Sequence, residues 1–204
     1  MKRHIITTII SIISILFVFS SISYAFTPAE WVAAHNKFRR LHVDTPDVKW
    51  SNTLAQSAQS WADTCIWDHC KYHPNICKNT SAGENLAGGD FSSAEAVVAY
   101  WYNDEIKKYD YNKPGYSSGT GHFTQVVWKS TTEIGCGYNS KCGHYVCQYN
   151  PPGNITGQFA ANVKPTKIST VHLYYMIYHL YYKYLAPQMR IRTYPGPFSA
   201  FSAK

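Results

Sequence analysis

The order of the periodic segments predicts an α+β sandwich. Helix-spaced apolar patterns crowd the first half of the 204-residue chain and short strand-like runs the second, an order foreign to a wound βαβ sheet. Six cysteines, none within the first 25 residues, supply staples, and two of them, Cys136 and Cys147, sit in the last two strand candidates. With 45% hydrophobic and 16% aromatic residues the chain is too apolar to stay unfolded, and its length suits one ordinary domain.

Lys2, Arg3 and His4 form a basic head, Ile5 to Phe19 an apolar core and Ser23-Tyr24-Ala25 a small-x-small cleavage site. Residues 1–25 therefore read as a secretory signal, with the exported chain starting near Phe26 and destined for the extracellular space. Thr27-Pro28-Ala29-Glu30 opens a helix: a hydroxyl cap, a proline whose missing N–H would have had no partner, and a glutamate reaching back to the cap. This helix runs to about His42 with Trp31, Ala34, His35 and Phe38 on one side. After a loop at Asp44 to Asp47, Ser51 caps a second helix that ends near Cys65 and places Leu54, Ala58, Trp61 and Ala62 on one face.

Residues 66–91 show no regular period and read as a long disulfide-tied loop, a kind that is usually functional. Ser92-Ser93-Ala94-Glu95 is a capping box for a helix through about Lys108, whose stripe of Ala94, Val98 and Trp101 ends in an inward-aimed Glu105. His122 to Trp128 alternates with period two and reads as a strand, followed by strands at Ile134 to Tyr138 and Tyr145 to Tyr149.

The net charge of +7 must be located before it is used. Lys2 and Arg3 belong to the signal, and Lys167, Lys183, Arg190, Arg192 and Lys204 to an acid-free tail. The remaining 12 basic residues equal the 12 acids, so residues 26–165 are neutral. A neutral core without a basic stripe excludes nucleic acid as a partner. The six thiols pair in an oxidising destination, and their spacings contain no Cys-x-x-Cys, which excludes zinc-finger and redox readings. Gly115-Tyr116-Ser117-Ser118-Gly119 spells a nucleophile elbow but follows the polar turn Asn112-Lys113-Pro114 instead of a strand. With no His-Glu-x-x-His helix and no phosphate-cradling glycine loop either, no catalytic residue is named.

Ring density marks one loop. Trp101, Tyr102, Tyr109, Tyr111 and Tyr116 surround Lys113-Pro114-Gly115, more aromatic surface than a short solvent loop needs. Two sequons, Asn79-Thr80-Ser81 and Asn154-Ile155-Thr156, suit glycosylation of an exported chain. In the atypical tail, residues 166–204, the apolar, Tyr-rich run from Val171 to Leu185 falls short of the roughly 20 residues a transmembrane anchor needs. An interfacial helix is the alternative there.

Four ordered motifs carry a family resemblance: His35-Asn36-x-x-Arg39, Gly83-Glu84-Asn85-Leu86, Gly121-His122-Phe123-Thr124-Gln125-Val126-Val127-Trp128, and Tyr145-Val146-Cys147-Gln148-Tyr149-Asn150-Pro151-Pro152-Gly153-Asn154. Over about Glu30 to Val163 the chain resembles the CAP superfamily, which takes in cysteine-rich secretory proteins, venom antigen 5 and pathogenesis-related class 1 proteins. Tyr109 to Ser130 is most similar to its fungal branch. The resemblance implies a three-layer α-β-α sandwich around a central antiparallel sheet, with residues 26–165 as the CAP domain. It also implies a cleft faced by two His and two Glu, which fall on His69, Glu84, Glu105 and His122.

His73 is the alternative to His69, because an insertion from Lys71 to about Ser81 lies before Glu84 and Cys70 replaces a common Ser. Counted back from Glu84 in the short-loop pattern, the same slot holds Asn79. Such a cleft offers ligands for zinc or another divalent cation, none of it required for folding. The resemblance further implies sterol or related lipid at the aromatic loop. A metal-dependent hydrolase and a defence protein binding a host extracellular macromolecule are the rival readings. For the cystines, six Cys allow 15 pairings; the resemblance implies Cys65 with Cys142 and Cys136 with Cys147, leaving Cys70 with Cys77.

Overall fold

A computed structural model describes residues 26–167 and 177–185, in two compact units that divide between Pro165 and Thr166. The secretory-signal reading of residues 1–25 lies outside the described residues, as does most of the tail. Within the second unit residues 177–185 are helical and end in the five-residue π turn Tyr181–Leu185. The rest of this section concerns the first unit.

Helix α1, Pro28–Arg39, begins as its capping residues dictate: the Thr27 hydroxyl accepts the Glu30 N–H, and the Glu30 carboxylate accepts the Thr27 N–H at 2.6 Å. Strand β1, Lys49–Trp50, leads into α2, Asn52–Ala62, capped by the Ser51 hydroxyl on the Leu54 N–H. A 3₁₀ turn at Cys70–Tyr72 precedes β2, Gly83–Gly88. Helix α3, Ala94–Tyr102, is followed by a 3₁₀ turn at Ile106–Lys108 and by the short α4, Gly121–Val126. Strands β3, Glu133–Asn139, and β4, His144–Asn150, form a hairpin, and α5, Phe159–Asn162, closes the domain.

The sheet has the order β1-β3-β4-β2, antiparallel except for the short parallel pair β1 and β3. Helix α2 covers one face and α1, α3 and α4 the other, which makes the three-layer α-β-α sandwich. Alternation along β4 sorts the two cores. Tyr145, Cys147 and Tyr149 join Trp31, Trp101 and Phe123 on one side, while Val146 joins Ala58, Trp61 and Leu86 on the other. Helix α2 approaches closely because β3 carries no side chain beneath it: a Cβ on Gly135 would lie 2.1 Å from the Ala55 nitrogen, and one on Gly137 2.4 Å from the Gln59 Cα.

Arg39 locks α1 to the rest. Its fully buried guanidinium donates to the carbonyls of Pro46, Val126, Trp128 and Thr131 at 2.8–3.0 Å. Burial pulls it down to about 10. The three cystines join Cys65 to Cys142, Cys70 to Cys77 and Cys136 to Cys147, the last bridging residues directly opposite each other in β3 and β4.

Three expected elements differ. The run from His122 to Trp128 is not a strand; Gly121 to Val126 is helical, and Phe123, Thr124, Gln125 and Val126 are all buried. Burial on every side removes the periodic signal that separates helix from strand. Residues 66–91 are not wholly irregular, because β2 lies within them and pairs with β4 from Gly83–Tyr149 to Gly88–His144. The helix after the long loop is capped by Ser93, one residue later than the capping box places it, and ends at Tyr102. Glu95 is instead drawn to Lys37 at 2.5 Å.

Candidate functional site

Ending α3 at Tyr102 frees Glu105 from the helical stripe and lets it turn toward α4. Its Oε1 accepts the His122 Nδ1 at 2.7 Å and its Oε2 accepts the Phe123 backbone N–H at 2.9 Å. Burial raises the Glu105 pKa, but the hydrogen bonds from His122 and from the Phe123 amide outweigh it, so the carboxyl lies below its ordinary range.

The second carboxylate repeats this pattern on different elements. Glu84, on the outer strand β2, accepts the His69 Nδ1 and the Cys70 backbone N–H through Oε1, both at 3.0 Å, and Gln148 Nε2 through Oε2 at 3.2 Å. Each glutamate thus clamps an imidazole together with the backbone amide that follows it. An ionised carboxylate only accepts, so Nδ1 of each ring carries the proton and, in the neutral ring, Nε2 keeps its lone pair. The imidazoles are partly open, with side-chain exposures of 38% for His69 and 35% for His122.

A buried chain of hydrogen bonds lies under both pairs. Trp31 O accepts from His35 Nδ1 at 2.8 Å, which leaves His35 Nε2 as the acceptor of the Tyr149 hydroxyl at 2.9 Å. The Tyr149 oxygen in turn accepts from Asn85 Nδ2, which also donates to the His122 carbonyl at 3.1 Å. Asn85 follows Glu84 in β2 and so connects one pair to the backbone of the other. Burial depresses His35 to about 4 and keeps it neutral.

The four side chains form two pairs rather than one four-membered group. His69 and Glu84 line a cavity of about 510 Å³ together with residues of the insertion loop, whereas His122 and Glu105 line another of about 390 Å³ beside α3. Among the described residues no three His, Cys, Asp or Glu side chains converge as a metal site. His73, the alternative to His69, pairs with Asp68 at 3.1 Å and lies against Trp61. Asn79 sits on the rim of the larger cavity, its Oδ1 accepting from Ser81.

The aromatic set also divides. Trp101 is fully buried and donates Nε1 to the Leu86 carbonyl at 2.8 Å; Tyr102 is buried with its hydroxyl on His42 Nε2; Tyr109 is buried against Phe123. Tyr111 and Tyr116 reach solvent. Tyr111 meets Tyr109 edge to face, while the Tyr116 ring turns to the larger cavity, 3.1 Å from where a Cβ on Gly121 would lie.

Of the two sequons, Asn154 has its amide committed, donating to Gly121 O at 2.9 Å and accepting from Thr124 Oγ1 at 2.5 Å. Sequence reasoning missed the exposed Tyr72 on the cavity wall, which no periodicity marks. Gln148 and Tyr149 were named only as letters of a motif, although hydrogen bonds give both a place in the site.

The family profile described as cysteine-rich secretory protein family, CAP, matches residues 32–149. The chain belongs to the CAP family. Protein PRY2 of Saccharomyces cerevisiae is 46% identical over 139 residues, 66% of this CAP chain and 40% of that protein, so the match spans less than half of PRY2. The human Golgi-associated plant pathogenesis-related protein 1 is 35% identical over 143 residues, 68% of this chain and 92% of that protein. Among solved structures, venom allergen-like protein 4 of Schistosoma mansoni matches with a TM-score of 0.53 and 27% identity, covering 69% of this chain and 94% of that one. Among the described residues of this CAP protein no helix is long and apolar enough to cross a membrane.

Proposed function

We propose that this CAP protein is an exported binding protein that takes a sterol or related lipid on the loop from Tyr109 to Tyr116. The observation that carries the reading is the mounting of Tyr111. Its ring, 36% exposed, stands edge to face on the buried Tyr109 with centroids 4.9 Å apart, and Tyr109 rests on Phe123 of α4. A half-open ring fixed to the core offers a rigid apolar ligand a contact that loses little side-chain entropy on binding. Equilibrium uptake of radiolabelled cholesterol or ergosterol by the purified protein tests the reading. Saturable uptake that Tyr111→Ala weakens about tenfold supports it; absence of saturable uptake, or uptake that Tyr111→Ala leaves unchanged, refutes it.

A second reading follows from the tautomers. A divalent ion such as zinc would meet Nε2 of His69 or of His122, with Glu84 and Glu105 behind the rings fixing their orientation. The paired geometry does not suit one ion held by all four side chains, and a single ring nitrogen per pair makes ligation weak. Zinc titration by calorimetry should give small heats that His69→Ala and His122→Ala together remove; no heat counts against it. The hydrolase reading requires a turnover that chelators abolish and His122→Ala loses.

A further inference from the structure

The cavity of about 510 Å³ on the His69 side has a lining that, apart from Tyr116 at the end of the aromatic loop, the lipid reading does not use. Its size falls within the range of small-molecule sites, yet its wall is unlike an apolar pocket. Two exposed tyrosines line it, Tyr72 at 63% from the insertion loop and Tyr116 at 65% from the aromatic loop. The same wall holds short polar groups, among them Asn79, Thr80 and Ser81. His69 adds Nε2 as an acceptor, because its Nδ1 proton is held by Glu84.

Charge narrows the ligand class. Lys71 and Glu84 are the charged residues of the wall; Lys71 lies 5.0 Å above the Tyr72 ring, and Glu84 is occupied by His69, Cys70 and Gln148. The wall therefore has no surplus of either sign with which to hold a phosphate, a carboxylate or an amine, and its polar groups would be left unpaired by a sterol or an acyl chain. Exposed tyrosines together with neutral hydrogen-bonding groups fit a molecule with apolar C–H faces and a rim of hydroxyls. We propose that this cavity binds a neutral oligosaccharide, stacked on Tyr72 and Tyr116 and hydrogen-bonded by the polar groups of the wall. The proposal is independent of lipid binding at Tyr111.

The test is isothermal titration of the full chain with three uncharged probes: hexamers of β-1,3-linked glucose, of β-1,4-linked N-acetylglucosamine and of mannose. N-glycans are released enzymatically first, since Asn79 lies on the rim. The expected result is saturable binding of at least one hexamer, unchanged when salt is raised to about 1 M. Tyr72→Ala should weaken it about tenfold while Tyr72→Phe retains it, and Tyr111→Ala should leave it intact. Tyr72 is exposed, so its replacement tests contact rather than folding. Absence of saturable binding for all three hexamers overturns the proposal, as does binding that salt abolishes or binding indifferent to both Tyr72→Ala and Tyr116→Ala. Loss of lipid uptake in Tyr111→Ala with sugar binding preserved separates the two readings.

Discussion

The two histidine–glutamate pairs make the same chemical arrangement on different supports. Glu105 reaches α4 from the turn after α3 and accepts the Phe123 N–H near the start of that helix, so its pair stands on elements whose other faces are core. His69 belongs to a long connection that the Cys70–Cys77 cystine crosslinks internally and that separate ties hold to the rest of the domain: the Cys65–Cys142 cystine, the Trp61 Nε1 bond to Asp68 O at 2.9 Å and the Glu84 clamp itself. Matching geometry therefore need not mean matching robustness. One pair depends on packing, the other on crosslinks that shorten the unfolded loop.

Removing a crosslink should separate the pairs most strongly. Cys65 and Cys142 lie 77 positions apart, and replacing both by Ser should cost about 4 kcal/mol in denaturant melts, against about 2 kcal/mol for Cys70 and Cys77, 7 positions apart. Hydrogen exchange in the folded double mutants should rise around His69 and stay low around Phe123. Equal loosening at both places would show that the supports are not distinct.

Acid should act beneath both pairs at once, through His35. Its folded pKa of about 4 lies below the value of about 6.5 in the unfolded chain, so the unfolded state takes up the proton first. Stability is full above about pH 6.5 and falls as pH drops toward 4, by about 3 kcal/mol for this residue. Buried His144, whose pKa is also lowered by desolvation, acts in the same direction. Urea melts at stepped pH measure this; a flat profile between about pH 6.5 and 4 would remove His35 as the common floor.

The smallest expected difference is in the carboxylates. Glu84→Gln should lower global stability by about 2 kcal/mol because it leaves the His69, Cys70 and Gln148 donors facing an amide, while Glu105→Gln, which leaves two donors, should cost about 1 kcal/mol. Thermal melts of both variants check the order.

The helix starts were legible because single residues determine them: Thr27 and Ser51 cap where their hydroxyls imply. The strands β3 and β4 were legible from β-branched and aromatic runs between turns. Helix α4 was not, since a six-residue segment buried on all sides keeps no period, and β2 was hidden among Gly, Asn and Ala that carry little strand propensity. The site residues His69, Glu84, Glu105 and His122 came from motif likeness, and of the four Glu105 alone was also marked by periodicity. What no motif could show is that Asn103 ends α3 and redirects Glu105, or that Tyr102 and Tyr109 face the core while Tyr72 faces the cavity, because those outcomes depend on which neighbours the sheet brings near.

Long-range proton–nitrogen correlation of the imidazole rings tests the two-pair arrangement directly. At about pH 8, where free imidazole is neutral, His69 and His122 should both show a protonated Nδ1 and a lone pair on Nε2. Glu84→Gln should shift the His69 nitrogens and leave those of His122 in place, and Glu105→Gln should do the reverse. Proton on Nε2 in either ring, or both rings responding alike to either substitution, would contradict separate clamps and point to one shared cluster.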